Sequence, residues 1–129
     1  MKKIIALFAL FSLLTVLVVA CGGSSGGSST GGGSGTIHMT DQNFLQQSIT
    51  ISKGSSITVI DDTATPHILA NGSWVNGVAQ PMQESGAPTV NNLQFNGNDT
   101  QTIGPFTTAG TFHIYCMIHV NMNLTITVK

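Results

Sequence analysis

The 129-residue chain has no arginine and only four lysines. Nucleic-acid binding needs a basic stripe, so that class of partner is excluded. Charged residues of both signs amount to 7% of the chain, so its surface must be built from Thr, Ser, Asn and Gln. Cysteine is almost as scarce: Cys21 and Cys116 are the only two. Downstream of residue 35 no window sustains the 3.6-residue period of an amphipathic helix. That stretch also offers no Ser–His–acid arrangement and no phosphate-cradling glycine motif, so it is not expected to be an enzyme.

What is present falls into three parts. Met1–Cys21 opens with Lys2 and Lys3 and then runs uncharged from Ile4 to Ala20. A basic start followed by an apolar run is the pattern of an export signal. Its ending, Val18-Val19-Ala20-Cys21, resembles the lipobox of bacterial lipoproteins, in which the cysteine is acylated and becomes the new N-terminus. A plain signal peptide and an uncleaved anchor are the alternatives, since the apolar run is just long enough to span a bilayer. All three readings place the remainder outside the cytoplasm. The lipobox reading attaches it by Cys21 to the bacterial cell membrane.

Residues 22–35, GGSSGGSSTGGGSG, carry no charge and nothing to bury. They read as a flexible coil with a root-mean-square span of roughly 20 Å, a tether between membrane and domain. Thr36–Lys129 then forms one domain, with two lysines against five acidic residues and a net charge of −3. A chain of this size buries one modest core. Acylation of Cys21 leaves Cys116 as its lone thiol, so no internal disulfide is possible. A lone thiol in an oxidising compartment needs something to hold it.

Alternation predicts strands throughout. Ile37 and Met39 alternate on an opening strand. Ile49, Ile51, Ile57 and Val59 do so in SITIS and SITVI, joined by Lys53-Gly54-Ser55 as a strand pair or a strand–turn–strand corner. Phe112, Ile114 and Cys116 share one face, with His113 and Tyr115 on the other. Leu124, Ile126 and Val128 alternate on a last strand. The fold class is therefore all-β, an antiparallel β-sandwich. Between His67 and Leu93 lies NGSWVNGVAQPMQESGAPTVNN, a long stretch in which a short helix or strand remains open. Trp74 sits on it, packed in the core, covering a site or docking a partner. Asp61 and Asp62 read as turn residues.

Residues 115–122, YCMIHVNM, place a thiol, an imidazole and a thioether at three-residue intervals: Cys116, His119 and Met122. These soft-to-borderline donors favour copper over zinc, calcium or magnesium. Two His and one Cys in a trigonal arrangement with a weak axial Met form an electron-transfer copper site. The missing donor is an upstream His. His113 is three residues before Cys116, so strand alternation turns it away. His38 lies among polar neighbours. His67 follows a turn-like segment stiffened by Pro66, and it is the expected fourth donor.

With these residues in view, Thr36–Lys129 resembles the cupredoxins, the family of plastocyanins, amicyanins and azurins. The likeness rests on Phe44 and the strand to Gly54, the Asp61–Asp62 turn leading to His67, residues Gly110–Cys116, and the Cys-x2-His-x2-Met loop. That loop is most similar in length to the amicyanin loop. The resemblance implies a Greek-key β-sandwich holding one type 1 copper by His67, Cys116, His119 and Met122. It implies that His119 reaches the surface and passes electrons to transient redox protein partners. Three positions depart from the family pattern. Val120 stands where Pro is common, Leu124 where Gly is common, and Ile68 where a polar residue often braces the site.

The function expected is one-electron transport by a membrane-tethered, monomeric copper protein cycling between Cu(I) and Cu(II). The alternative is copper capture and delivery without redox cycling. Multicopper oxidase chemistry is not expected, because the chain has no His-x-His pair. A dinuclear copper site would need a second cysteine in the domain.

Overall fold

Alternating burial along short strands builds the fold. The structure, a computed structural model, describes residues 34–129. The expected signal segment, acylated Cys21 and tether residues 22–33 lie outside the described residues. Among the described residues there are nine strands and no helix: β1 (Gly35–Met39), β2 (Ser48–Ile51), β3 (Ile57–Asp61), β4 (His67–Val75), β5 (Val78–Pro81), β6 (Leu93–Phe95), β7 (Thr100–Ile103), β8 (Gly110–Cys116) and β9 (Asn123–Val128). The all-β expectation holds.

The strands form two sheets. One runs β1-β3-β7; the other runs β2-β9-β8-β4, with β5 and β6 both paired to β4. Ile37, Met39, Ile57 and Val59 point inward from the first sheet. Ile51, Leu69, Phe112, Ile114, Leu124 and Ile126 come from the second, and together they make one apolar cluster. Burying an aliphatic side chain of this size contributes about 1.5–3 kcal/mol, so these two inner faces are what hold the sheets together.

The sheets are mixed, which corrects the purely antiparallel expectation. β1 pairs with β3 in parallel, and β2 pairs with β9 in parallel. The reason is the path of the chain. After β1 it crosses to the second sheet for β2, then returns for β3, so β1 and β3 enter their sheet in the same direction. SITIS and SITVI are therefore a corner between sheets, not a pair. Gly54, at a φ of 88°, makes the turn, and its N–H donates to the Phe106 carbonyl at 2.7 Å.

The long stretch after His67 becomes a hairpin. β4 continues to Val75, turns at Asn76 and Gly77, and returns as β5, with Val75 opposite Val78. Asn76 and Gly77 have φ of 52° and 74°. Two consecutive left-handed residues match the twist of the flanking strands, which is why Asn-Gly suits a two-residue hairpin.

Candidate metal centre

Register brings the candidate donors together. β4 runs antiparallel to β8 with Leu69 opposite Cys116. Directly opposed residues share a face, and so do residues two apart on one strand. His67 therefore lies on the same inner face as Cys116, at one end of the sandwich. Both are fully buried. β6 closes the other edge, placing Phe95 opposite His67.

The loop after Cys116 then folds back over this end. The Cys116 N–H donates to the Met122 carbonyl at 3.0 Å, and the Met122 N–H to the His119 carbonyl at 3.2 Å. Asn121, at a φ of 64°, takes the left-handed conformation that the tight return needs. The Met117 N–H donates to the Ile68 carbonyl at 2.7 Å, tying the loop to the strand that carries His67. That bond uses the Ile68 backbone, so the apolar side chain at this position does not weaken it.

The result is a triangle of donor atoms. Cys116 Sγ lies 3.7 Å from His67 Nδ1 and 3.4 Å from His119 Nδ1, and the two Nδ1 atoms are 3.1 Å apart. A point equidistant from these three atoms lies about 2.0 Å from each, the length of an ordinary metal–imidazole bond and about 0.3 Å short of a metal–thiolate bond. Three lone-pair-bearing atoms converge on one point inside an apolar end of the sandwich, and no carboxylate is among them. This chemistry suits a soft-to-borderline cation. Met122 is buried at the end of the same loop, in the apolar cluster that contains Cys116.

Burial lowers the His67 pKa from its ordinary value; the Asp61 carboxylate opposes that, the neighbouring His119 adds to it, and hydrogen bonding toward the Thr40 backbone opposes it too. A neutral imidazole is the form that binds a metal. The ring is fully buried, whereas His119 is partly exposed. Met117, Ile118 and Val120 around His119 are exposed apolar residues.

The other two histidines are engaged elsewhere. His38 Nδ1 lies 2.8 Å from Asp62 Oδ2, and His113 Nδ1 lies 2.6 Å from Glu84 Oε1.

Two residues support the site in ways the sequence does not show. Trp74 donates its indole N–H to the Cys116 carbonyl at 2.8 Å and stacks edge-on against Tyr115. Asn123 accepts from the Trp74 N–H at 2.7 Å and donates to the Trp74 carbonyl at 3.0 Å. Together they brace the end of β8 from outside the core. The second support is Asp61, which is 2% exposed and lies behind His67. Its alternation with Ile57 and Val59 signals its burial but not its place behind His67.

No family model and no curated relative matches the sequence. Solved structures do match. Amicyanin from Paracoccus versutus (Thiobacillus versutus) is 17% identical with a TM-score of 0.57, over 74% of this chain and 81% of that one. The reduced state of an amicyanin variant is 16% identical with a TM-score of 0.56, over 75% and 83% of the two chains. A Cu(I) amicyanin variant is 17% identical with a TM-score of 0.54, over 78% and 87%. The likeness shows the fold: this chain has the cupredoxin architecture.

Proposed function

We propose that this chain is a mononuclear type 1 copper protein that carries single electrons outside the cytoplasm, tethered to the bacterial cell membrane by lipid on Cys21. The observation that carries the reading is the triangle of His67 Nδ1, Cys116 Sγ and His119 Nδ1, sized for one metal ion. Met122, buried at the end of the same loop, would supply the fourth donor. Copper held there would supply a Cu(I)/Cu(II) couple.

The chain's own residues supply the rest. His67 and Cys116 are fixed by paired strands in the buried core, which limits movement when charge changes. The apolar surroundings of Cys116 tune the couple. Partly exposed His119, ringed by Met117, Ile118 and Val120, offers a small apolar face to a redox protein partner. Transient redox encounters need no large interface, and a monomer suffices. The Gly/Ser-rich segment 22–35 would keep the domain at high local concentration beside membrane-bound partners.

The test is a Cu(II) titration of the metal-free protein, followed by visible absorption and EPR. One copper per chain should bring an intense thiolate-to-copper band, absent in Cys116→Ser. A colourless protein, or a spectrum indifferent to that substitution, would sink the reading. Fast surrender of copper to a chelator without a reversible couple would mark capture and delivery instead. Incorporation of labelled fatty acid, lost in Cys21→Ser, tests the anchor.

A further inference from the structure

Asp61 ends β3, where the alternation Ile57, Val59, Asp61 turns every second side chain into the sandwich. Its carboxylate is thus placed among apolar residues at 2% exposure. A buried carboxylate is costly unless hydrogen-bonded and paired. Oδ1 accepts from the Thr63 N–H at 3.1 Å and from the Thr63 hydroxyl at 3.2 Å, closing the turn after the strand. Oδ2 has no partner. Lys53 and Lys129, the two lysines among the described residues, are exposed, and among those residues the one cation-capable group within ion-pair range of Asp61 is His67.

Across the gap between the sheets, His67 Nε2 is also buried and without a hydrogen-bond partner. It lies 4.0 Å from Asp61 Oδ1. A buried ring nitrogen without a hydrogen-bond partner therefore faces a buried carboxylate whose Oδ1 is engaged by Thr63 and whose Oδ2 is open. A neutral imidazole has one ring proton, and an ionised carboxylate only accepts. Beside Asp61 that proton belongs on Nε2, which leaves the Nδ1 lone pair for the donor triangle.

We propose that Asp61 is a positioning residue for the metal centre, its carboxylate fixing His67 as the Nε2–H tautomer and favouring oxidised over reduced copper. The part concerning copper rests on the function proposed above. Negative charge behind a ligand stabilises the more positive metal state.

The direct test uses the metal-free wild-type protein. Ring nitrogen NMR of His67 should show Nε2–H at neutral pH; Nδ1–H would overturn the proposal without a variant or copper. The second test is Asp61→Asn, which keeps an oxygen for the Thr63 turn and removes the charge. Its affinity for Cu(II) relative to Cu(I) should fall about tenfold. For a one-electron couple that raises the potential by about 59 mV. An unchanged potential in a variant that keeps its thiolate-to-copper band would overturn the effect on copper. If the wild type never develops that band, the copper reading fails, and the same NMR measurement on Asp61→Asn still decides the role of Asp61 toward His67, since the Thr40 backbone also acts on that ring: a weakened Nε2–H preference is expected, and an unchanged one would overturn it.

Discussion

Met122 is buried among core residues and ends the loop that carries Cys116 and His119, so packing and coordination both fit its burial. Met122→Leu separates them. The swap roughly conserves volume and should cost less than about 1.5 kcal/mol of stability. If Met122 is the axial donor, Met122→Leu keeps the thiolate-to-copper band, because the three strong donors remain. The couple should shift upward by about tenfold in relative Cu(I) over Cu(II) affinity, since the axial ligand tunes the potential. Voltammetry and EPR identical to wild type would reduce Met122 to a core residue. At this scale the sequence was legible where donors lie close together in the chain: Cys116, His119 and Met122 announce themselves by spacing. His67 could be chosen because alternation turned His113 away and Pro66 stiffened the approach. Asp61 was not legible as a support, because Asp61-Asp62 is explained by turn chemistry alone. Oδ1 does close that turn, and only the three-dimensional fold shows His67 behind it.

Among the elements, periodicity told which face each strand buries but not which sheet it joins. SITIS and SITVI carry the same pattern and end in opposite sheets, and two parallel pairings arise from that crossing. The Asn76-Gly77 hairpin, by contrast, was written in the sequence; the surrounding Asn, Gly and Pro residues masked it. Two glycines now give a paired prediction. Gly77 and Gly97 have φ of 74° and 88°, but an added Cβ meets nothing at Gly77 and meets the Ala64 backbone at 2.7 Å at Gly97. Gly77→Ala should cost only left-handed strain, about 1–2 kcal/mol in urea unfolding. Gly97→Ala adds a clash with the segment that leads to His67, where the Asn98 N–H donates to the Thr63 carbonyl. It should cost at least about 2 kcal/mol and weaken Cu(II) binding, while Gly77→Ala leaves binding unchanged. Equal copper affinity in both variants would mean that the 62–66 segment does not position His67.

Across the whole molecule, the site and the core share side chains. Cys116 and Met122 belong to the same apolar cluster as Phe112, Ile114 and Leu124. The donor triangle exists only when β4, β8 and the returning loop are assembled, so copper should bind the folded state far better than the unfolded chain. Such binding adds stability by mass action, about 2.7 kcal/mol when free metal is a hundred times the dissociation constant. For a domain of this size that corresponds to a rise in Tm of roughly 10–20 °C. Stripping the metal with a chelator should reverse the gain. Cys116→Ser should gain far less from copper than the wild type, because two imidazoles and a weak thioether hold the ion less tightly than a thiolate does. Calorimetry on the loaded, stripped and substituted proteins measures all three. A loaded protein that melts no higher than the stripped one would show that the unfolded chain, with its histidines, methionines and thiol, binds copper as well as the folded site does. The architecture would then not be what makes the centre.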